Sequence, residues 1–198
     1  MTMKSLQRTI GAQPLSQSLP AALRIANAID DQKWASWIKL ELVGYTRDNP
    51  ELKEDTIVPE YRSVAGLWHD HYGRPLMVES KLSFINEVRL RHGIVELESF
   101  ATRAGPLWLP AASEAEIINT NLGVEIHLFR FDPSSIQQVL TNVRVRLIES
   151  VEQRSIKIDS IPGGEPAREG EIFQLKPTLY GIGIDLKELW RRMFVGRR

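Results

Sequence analysis

Glu41 is an acid on an apolar stripe. It lies seven positions after Trp34 and four after Trp37, so the helical face that would bury two indoles also carries a carboxylate. A carboxylate on a largely buried face must find a partner or take up a proton. Arg62 is the candidate partner, since residues 46–59 form a polar, proline-containing loop long enough to return the chain to the helix. Tyr45 and Tyr61 add two hydroxyls, and buried tyrosines usually seek a hydrogen-bond partner. Glu41, Tyr45, Tyr61 and Arg62 therefore form a candidate polar cluster. It could line a site for a polar small molecule, with Glu41 and Arg62 as the working groups. The preferred reading is a buttress, an ion pair that fastens the loop to the helix.

Other chemistry-bearing residues are sparse. His69-Asp70-His71 has metal-ligand types at alternating positions, and a continuous strand would put both imidazoles on one face. No further His-rich or acidic pair lies nearby, so no metal is expected. His92 and His127 are single histidines without an evident partner. Nucleophilic hydrolysis lacks a Gly-x-Ser-x-Gly elbow and a cysteine. Gly163-Gly164 lacks the Gly-Lys-Ser/Thr ending of a phosphate loop, and Gly181-Ile182-Gly183 is too short for a dinucleotide fingerprint. No cofactor is expected, and the balance leans away from an enzyme.

Two surfaces remain. Leu186, Leu189, Trp190, Met193 and Phe194 recur at helical spacing after Asp185, a natural cap, and make residues 185–194 an amphipathic helix. Such a face docks on its own domain, on a partner or on a second copy. Leu189, Trp190, Met193 and Phe194 are the candidate interaction residues. Arg191 and Arg192, with Arg144 and Arg146 on an earlier helix, form a candidate basic surface. One turn of arginines is a small patch, so nucleic acid is disfavoured.

The positioning elements follow from period and caps. Leu19, Leu23, Ala26 and Ile29 predict a helix starting near Ser18, with Pro20 in its first turn. Asp30-Asp31 breaks it and opens the helix of Trp34, Trp37, Ile38 and Glu41, which Gly44 ends. The two should form a helical hairpin. Residues 63–69 read as extended, with a turn at 70–75 and a returning strand at 76–78. Residues 82–91 and 95–103 read as helices, a further helix opens at Ser113, and 124–131 alternates as a strand. Asp132-Pro133 starts the clearest helix, with Ile136, Val139, Leu140, Val143, Leu147, Ile148 and Val151 on one face. Residues 160–171 contain Pro162, Gly163, Gly164 and Pro166 and read as a linker.

The fold class is thus α+β: one mainly helical domain over 1–155 with a small β-hairpin or sheet, then 156–198 as linker, strand-like segment and C-terminal amphipathic helix. With 198 residues, 42% of them apolar, the chain can bury a core without a disulfide or metal. Twenty-five basic residues balance 25 acidic ones, which excludes a chain-wide nucleic-acid footprint. The absence of cysteine suits a reducing compartment. Residues 1–14 lack the apolar run of a secretory signal, and no stretch is long and apolar enough to span a membrane, so a cytoplasmic protein is expected.

The run Trp34-Ala35-Ser36-Trp37-Ile38-Lys39-Leu40-Glu41-Leu42-Val43-Gly44-Tyr45, followed by Pro59-Glu60-Tyr61-Arg62, resembles the signature of the AbiTii domain. The later Val139–Leu147 stretch, with Val143-Arg144 and Arg146, resembles that family's second landmark. The likeness covers roughly residues 5–153. It implies a bacterial host and abortive-infection phage defence, and it carries over no catalytic residue. The function expected from it is defence through protein–protein contact, as sensor or adaptor, with a protein partner or self-association. The alternatives are a small-molecule-responsive or enzymatic effector using Glu41 and Arg62, or a nucleic-acid binder.

Overall fold

A computed structural model of the chain describes residues 3–110 and 112–159. The elements run α1 (Met3–Ile10), α2 (Leu15–Ala28), α3 (Gln32–Val43), β1 (Ser63–His69), β2 (Glu87–Arg89), α4 (Ile94–Ala101), β3 (Leu107–Leu109), α5 (Ala112–Leu122), β4 (Leu128–Phe131) and α6 (Pro133–Asp159). The architecture is α+β and mainly helical. Its four strands form an antiparallel sheet in the order β2-β1-β4-β3.

Helix α6 is the spine. Ile136, Val139, Val143, Leu147 and Val151 are all buried, at the spacing that keeps one stripe inward. Helices α1 and α4 and strand β1 pack against α6. Asp132 starts it by accepting from the Ser134 amide at 2.8 Å. The sheet turns Val64, Trp68, Val88, Phe129 and Phe131 into the core, with Trp68 and Phe129 in edge-to-face contact at 5.0 Å. The helical hairpin expected from the Asp30-Asp31 break is present. Asp30 takes a left-handed φ of 53°, and the Asp31 side chain accepts from the Trp34 amide at 3.0 Å.

Several expectations are corrected. Helix α2 begins at Leu15 rather than near Ser18, so Pro20 lies inside it. Its start is set by Glu98 on α4, whose carboxylate accepts from the amides of Leu15 at 2.6 Å and Ser16 at 3.4 Å. Ser18 is buried and donates back to the Pro14 carbonyl at 3.2 Å instead of capping. Residues 82–91 are not an α-helix: a 3-10 turn over Ser80–Asn86 leads into β2, because Val88 pairs with Val64 across the sheet. The return after the 70–75 turn shrinks to one bridge, His69 with Pro75. Strand β4 covers only Leu128–Phe131, since Asn119 clamps Ile126 through both its amide and its carbonyl. Helix α1 and strand β3 add to the elements that period and caps predict. Leu6 and Ile10 of α1 are fully buried, four residues apart.

The end of α3 is held by a close backbone approach. Gly44 has φ of 100° and bridges to His92, and a Cβ on it would lie 2.5 Å from the Arg91 carbonyl oxygen. A Cβ on Gly93 would lie 2.5 Å from the Leu42 carbonyl oxygen. The two glycines let the α3 terminus and the 91–93 segment touch main chain to main chain. Gly44→Ala must combine a disfavoured φ with a backbone clash, and it should cost about 2 kcal/mol or more in urea unfolding.

Candidate functional site

The backbone contact at Gly44 delivers Arg62 to Glu41. The Tyr45 amide donates to the Arg91 carbonyl at 2.7 Å, and the Leu90 amide donates to the Arg62 carbonyl at 3.0 Å. Residues 90–92 thereby run alongside both the end of α3 and the start of β1. Residues 60–62 form a single 3-10 turn that leads directly into β1.

The expected cluster assembles in full. Glu41 and Arg62 are both completely buried and form an ion pair through Oε2 and Nη1. The other oxygen, Oε1, accepts from the Tyr45 hydroxyl at 2.8 Å and the Tyr61 hydroxyl at 2.6 Å. Arg62 spends its remaining edges on main chain: Nε donates to the Leu90 carbonyl at 2.8 Å and Nη2 donates to the His92 carbonyl. Its guanidinium carbon lies 5.1 Å from the centroid of the Tyr45 ring. An arginine suits this place because its planar fork can serve a carboxylate and two carbonyls at once.

Residues outside the expected cluster complete it. The Trp37 indole donates to the Tyr61 hydroxyl at 3.0 Å. Arg146 stacks over the Tyr61 ring at 4.3 Å, and Asn142 donates to the Tyr61 carbonyl at 3.3 Å, so α6 closes the cluster from above. Asn49 holds the loop by donating to the Gly44 carbonyl at 2.7 Å. Trp37 was legible only as an apolar stripe residue, yet its ring nitrogen is a donor; that amphipathic character was the available signal.

Chemically, both carboxylate oxygens are engaged by groups of the chain itself. Burial, followed by the Glu41 charge, pushes the Tyr45 and Tyr61 hydroxyls well above the ordinary tyrosine range. His92, beside the cluster, is pushed below the usual histidine range by burial first, with Glu96 opposing and Arg62 assisting. Its Nδ1 is buried without a hydrogen-bond partner among the described residues.

The remaining candidates are dispersed. The strand ends at His69, which is buried, has Nδ1 3.0 Å from the Leu67 carbonyl oxygen and meets the Trp108 ring edge-on at 5.0 Å. His71 lies in the turn against Tyr72, so the shared face that a continuous strand would give does not form. Among the described residues, no three His, Asp or Glu side chains are placed to hold a metal ion. An open cleft of about 410 Å³ adjoins this turn and includes Asp70, His71, Arg74 and Glu125. Asp70 is already committed there, accepting from Arg74 Nε at 2.7 Å and the Tyr72 amide at 2.9 Å.

Of the basic-surface candidates, Arg144 is half-buried, whereas Arg146 stays exposed. Arg144 donates to the Ile10 carbonyl and, at 2.8 Å, to the Gln13 carbonyl, which caps the end of α1. Arg146 is occupied by Tyr61. Leu189, Trp190, Arg191, Arg192, Met193 and Phe194 lie outside the described residues.

Removing one partner from a buried pair leaves the other charge stranded, so Glu41→Gln should cost about 3–5 kcal/mol in urea unfolding. Stability should also depend on pH from both sides. Tyr45 and Tyr61 prefer the neutral form when folded, so their contribution is complete below about pH 10 and is lost as pH rises. His92 has a lowered folded value, so its contribution is present above about pH 6.5 and is lost as pH falls through that folded value. A spectrophotometric titration should show two of the four tyrosines resisting ionisation until the chain unfolds, and His92→Asn should flatten the acid limb.

Comparison with curated proteins and with solved structures found no match. A family model did match, over residues 3–160, a span that contains the whole cluster and the helix that closes it. The chain belongs to the AbiTii family, which points to abortive-infection defence against phage.

Proposed function

We propose that the chain serves this defence through contact with protein, as a sensor or adaptor rather than as a catalyst, in the bacterial cytoplasm. The observation that carries the reading is the commitment of Glu41. Its carboxylate is fully buried and answered by two phenols and a guanidinium, so the group with the strongest claim to chemistry acts as a buttress. Reactive groups in working sites are ordinarily within reach of a substrate. Here the perturbed groups face one another.

The contact itself is assigned to the sequence-predicted amphipathic helix, with Leu189, Trp190, Met193 and Phe194 as its apolar face. Aromatic and large apolar side chains of this kind dominate binding energy where helices lie in grooves. Nucleic acid is a poor fit as partner, because the chain carries no net positive charge and Arg144 is spent on the end of α1, which leaves Arg146 as a lone exposed cation on that helix face.

Phage plaquing and host survival test the proposal in cells expressing the full chain, alone and with its native gene neighbours. Trp190→Asp and Phe194→Asp should abolish protection while leaving the unfolding transition unchanged. Glu41→Gln should lose protection only in step with its loss of folded protein. Full protection by Trp190→Asp and Phe194→Asp overturns the contact role. A Glu41→Gln chain that folds normally yet fails to protect would favour an effector acting at the cluster.

A further inference from the structure

The sheet has a second face, and its composition is unusual for solvent. Register places Leu67, Arg130 and Trp108 side by side on β1, β4 and β3, pointing away from the core that Trp68 and Phe129 fill. Leu67 is 39% exposed and Trp108 47%, and Arg130 lies 5.6 Å from the Trp108 ring centroid. On the other side of β1, the same face carries Glu87 of β2, in register with Ala65. Met77, 79% exposed, follows the Pro75 bridge along that same edge. Neither Glu87 nor Arg130 has an ion-pair partner among the described residues.

We infer that this face is a self-association surface, on which two copies of the chain pack sheet to sheet with Glu87 of each paired to Arg130 of the other. The charge pattern selects both the partner and the symmetry. Arg89 shares this face of β2 but donates to the Val58 carbonyl at 3.0 Å, so Glu87 and Arg130 are the acid and base that flank the apolar centre, one strand to either side of β1, and they make the face complementary to itself. A two-fold axis lying along β1 in the plane of contact exchanges the β2 side with the β4 side. It brings Leu67 against Leu67 and each Glu87 toward an Arg130. An axis across the strands would instead set Arg130 against Arg130. Closed two-fold contacts of this isologous type are the commonest form of homo-oligomer. An arginine stacked on an exposed tryptophan beside a leucine is the composition from which interface anchors are drawn. Met77 falls on the side that the axis carries toward the other copy's Trp108. This assembly is argued from the sheet alone and does not depend on the role proposed for the C-terminal helix.

Sedimentation velocity on the full chain decides the matter. The unaltered chain should dimerise in the micromolar range. Arg130→Glu and Glu87→Arg should each weaken the dimer by about a hundredfold or more, because like charges would face across the contact. The double variant, Glu87→Arg with Arg130→Glu, should recover dimerisation. Both positions are exposed, and far-UV circular dichroism would show that the fold is intact; Trp108→Ala offers a charge-neutral check and should also weaken association. A chain that stays monomeric throughout that range overturns the inference. So does a dimer indifferent to the single reversals, or one that the double variant fails to restore.

Discussion

Burying a guanidinium and a carboxylate together is costly unless every polar atom is answered, and that requirement organises this molecule. Arg62 enters the core directly from a 3-10 turn and meets Glu41, the Tyr45 ring and two main-chain carbonyls. For the carbonyls of Leu90 and His92 to be in reach, the 90–92 segment must run against the end of α3. That approach is possible only because Gly44 and Gly93 have no Cβ to keep the backbones apart. One ionic contact thus ties α3, the loop after it, β1 and the segment leading into α4. Breaking the pair would leave these four segments without a common anchor.

The same economy recurs at the helix ends. Helix α2 takes its N-terminal cap from Glu98 on α4, and α1 takes its C-terminal cap from Arg144 on α6. Arg154, near the end of α6, donates to Asp31 at 2.9 Å and covers the Trp34 ring at 4.4 Å, fastening the turn between α2 and α3. In the first two cases a charge of the sign favoured by the helix dipole arrives from a distant element; in the third a guanidinium pairs with the carboxylate that caps α3. Charges that would otherwise make surface patches are turned into joints. This leaves the outer face of the sheet, with Leu67, Trp108, Glu87 and Arg130, as a region whose side chains the described fold does not consume.

The family match takes in the whole of this arrangement. The matched region contains a closed polar core whose groups answer one another.

The sequence by itself determined the elements whose signals are local and periodic. The α2–α3 hairpin, the Gly44 stop and the long apolar stripe of α6 were readable because caps and the 3.6-residue period act within a few residues. The pairing of Glu41 with Arg62 was readable too, since an acid on an indole-bearing stripe demands a partner and few were on offer. Tertiary structure decided the rest. Residues 82–91 carry apolar spacing compatible with a helix, yet Val88 is claimed by Val64 on another strand. The start of α2 depended on a carboxylate 83 residues away, and Arg144 left the expected surface to reach the end of α1. The divide between His69 and His71 came from where the strand stopped. These outcomes share one cause: strand pairing, long-range caps and charge burial are set by what lies opposite in space, and no window of sequence contains that neighbour.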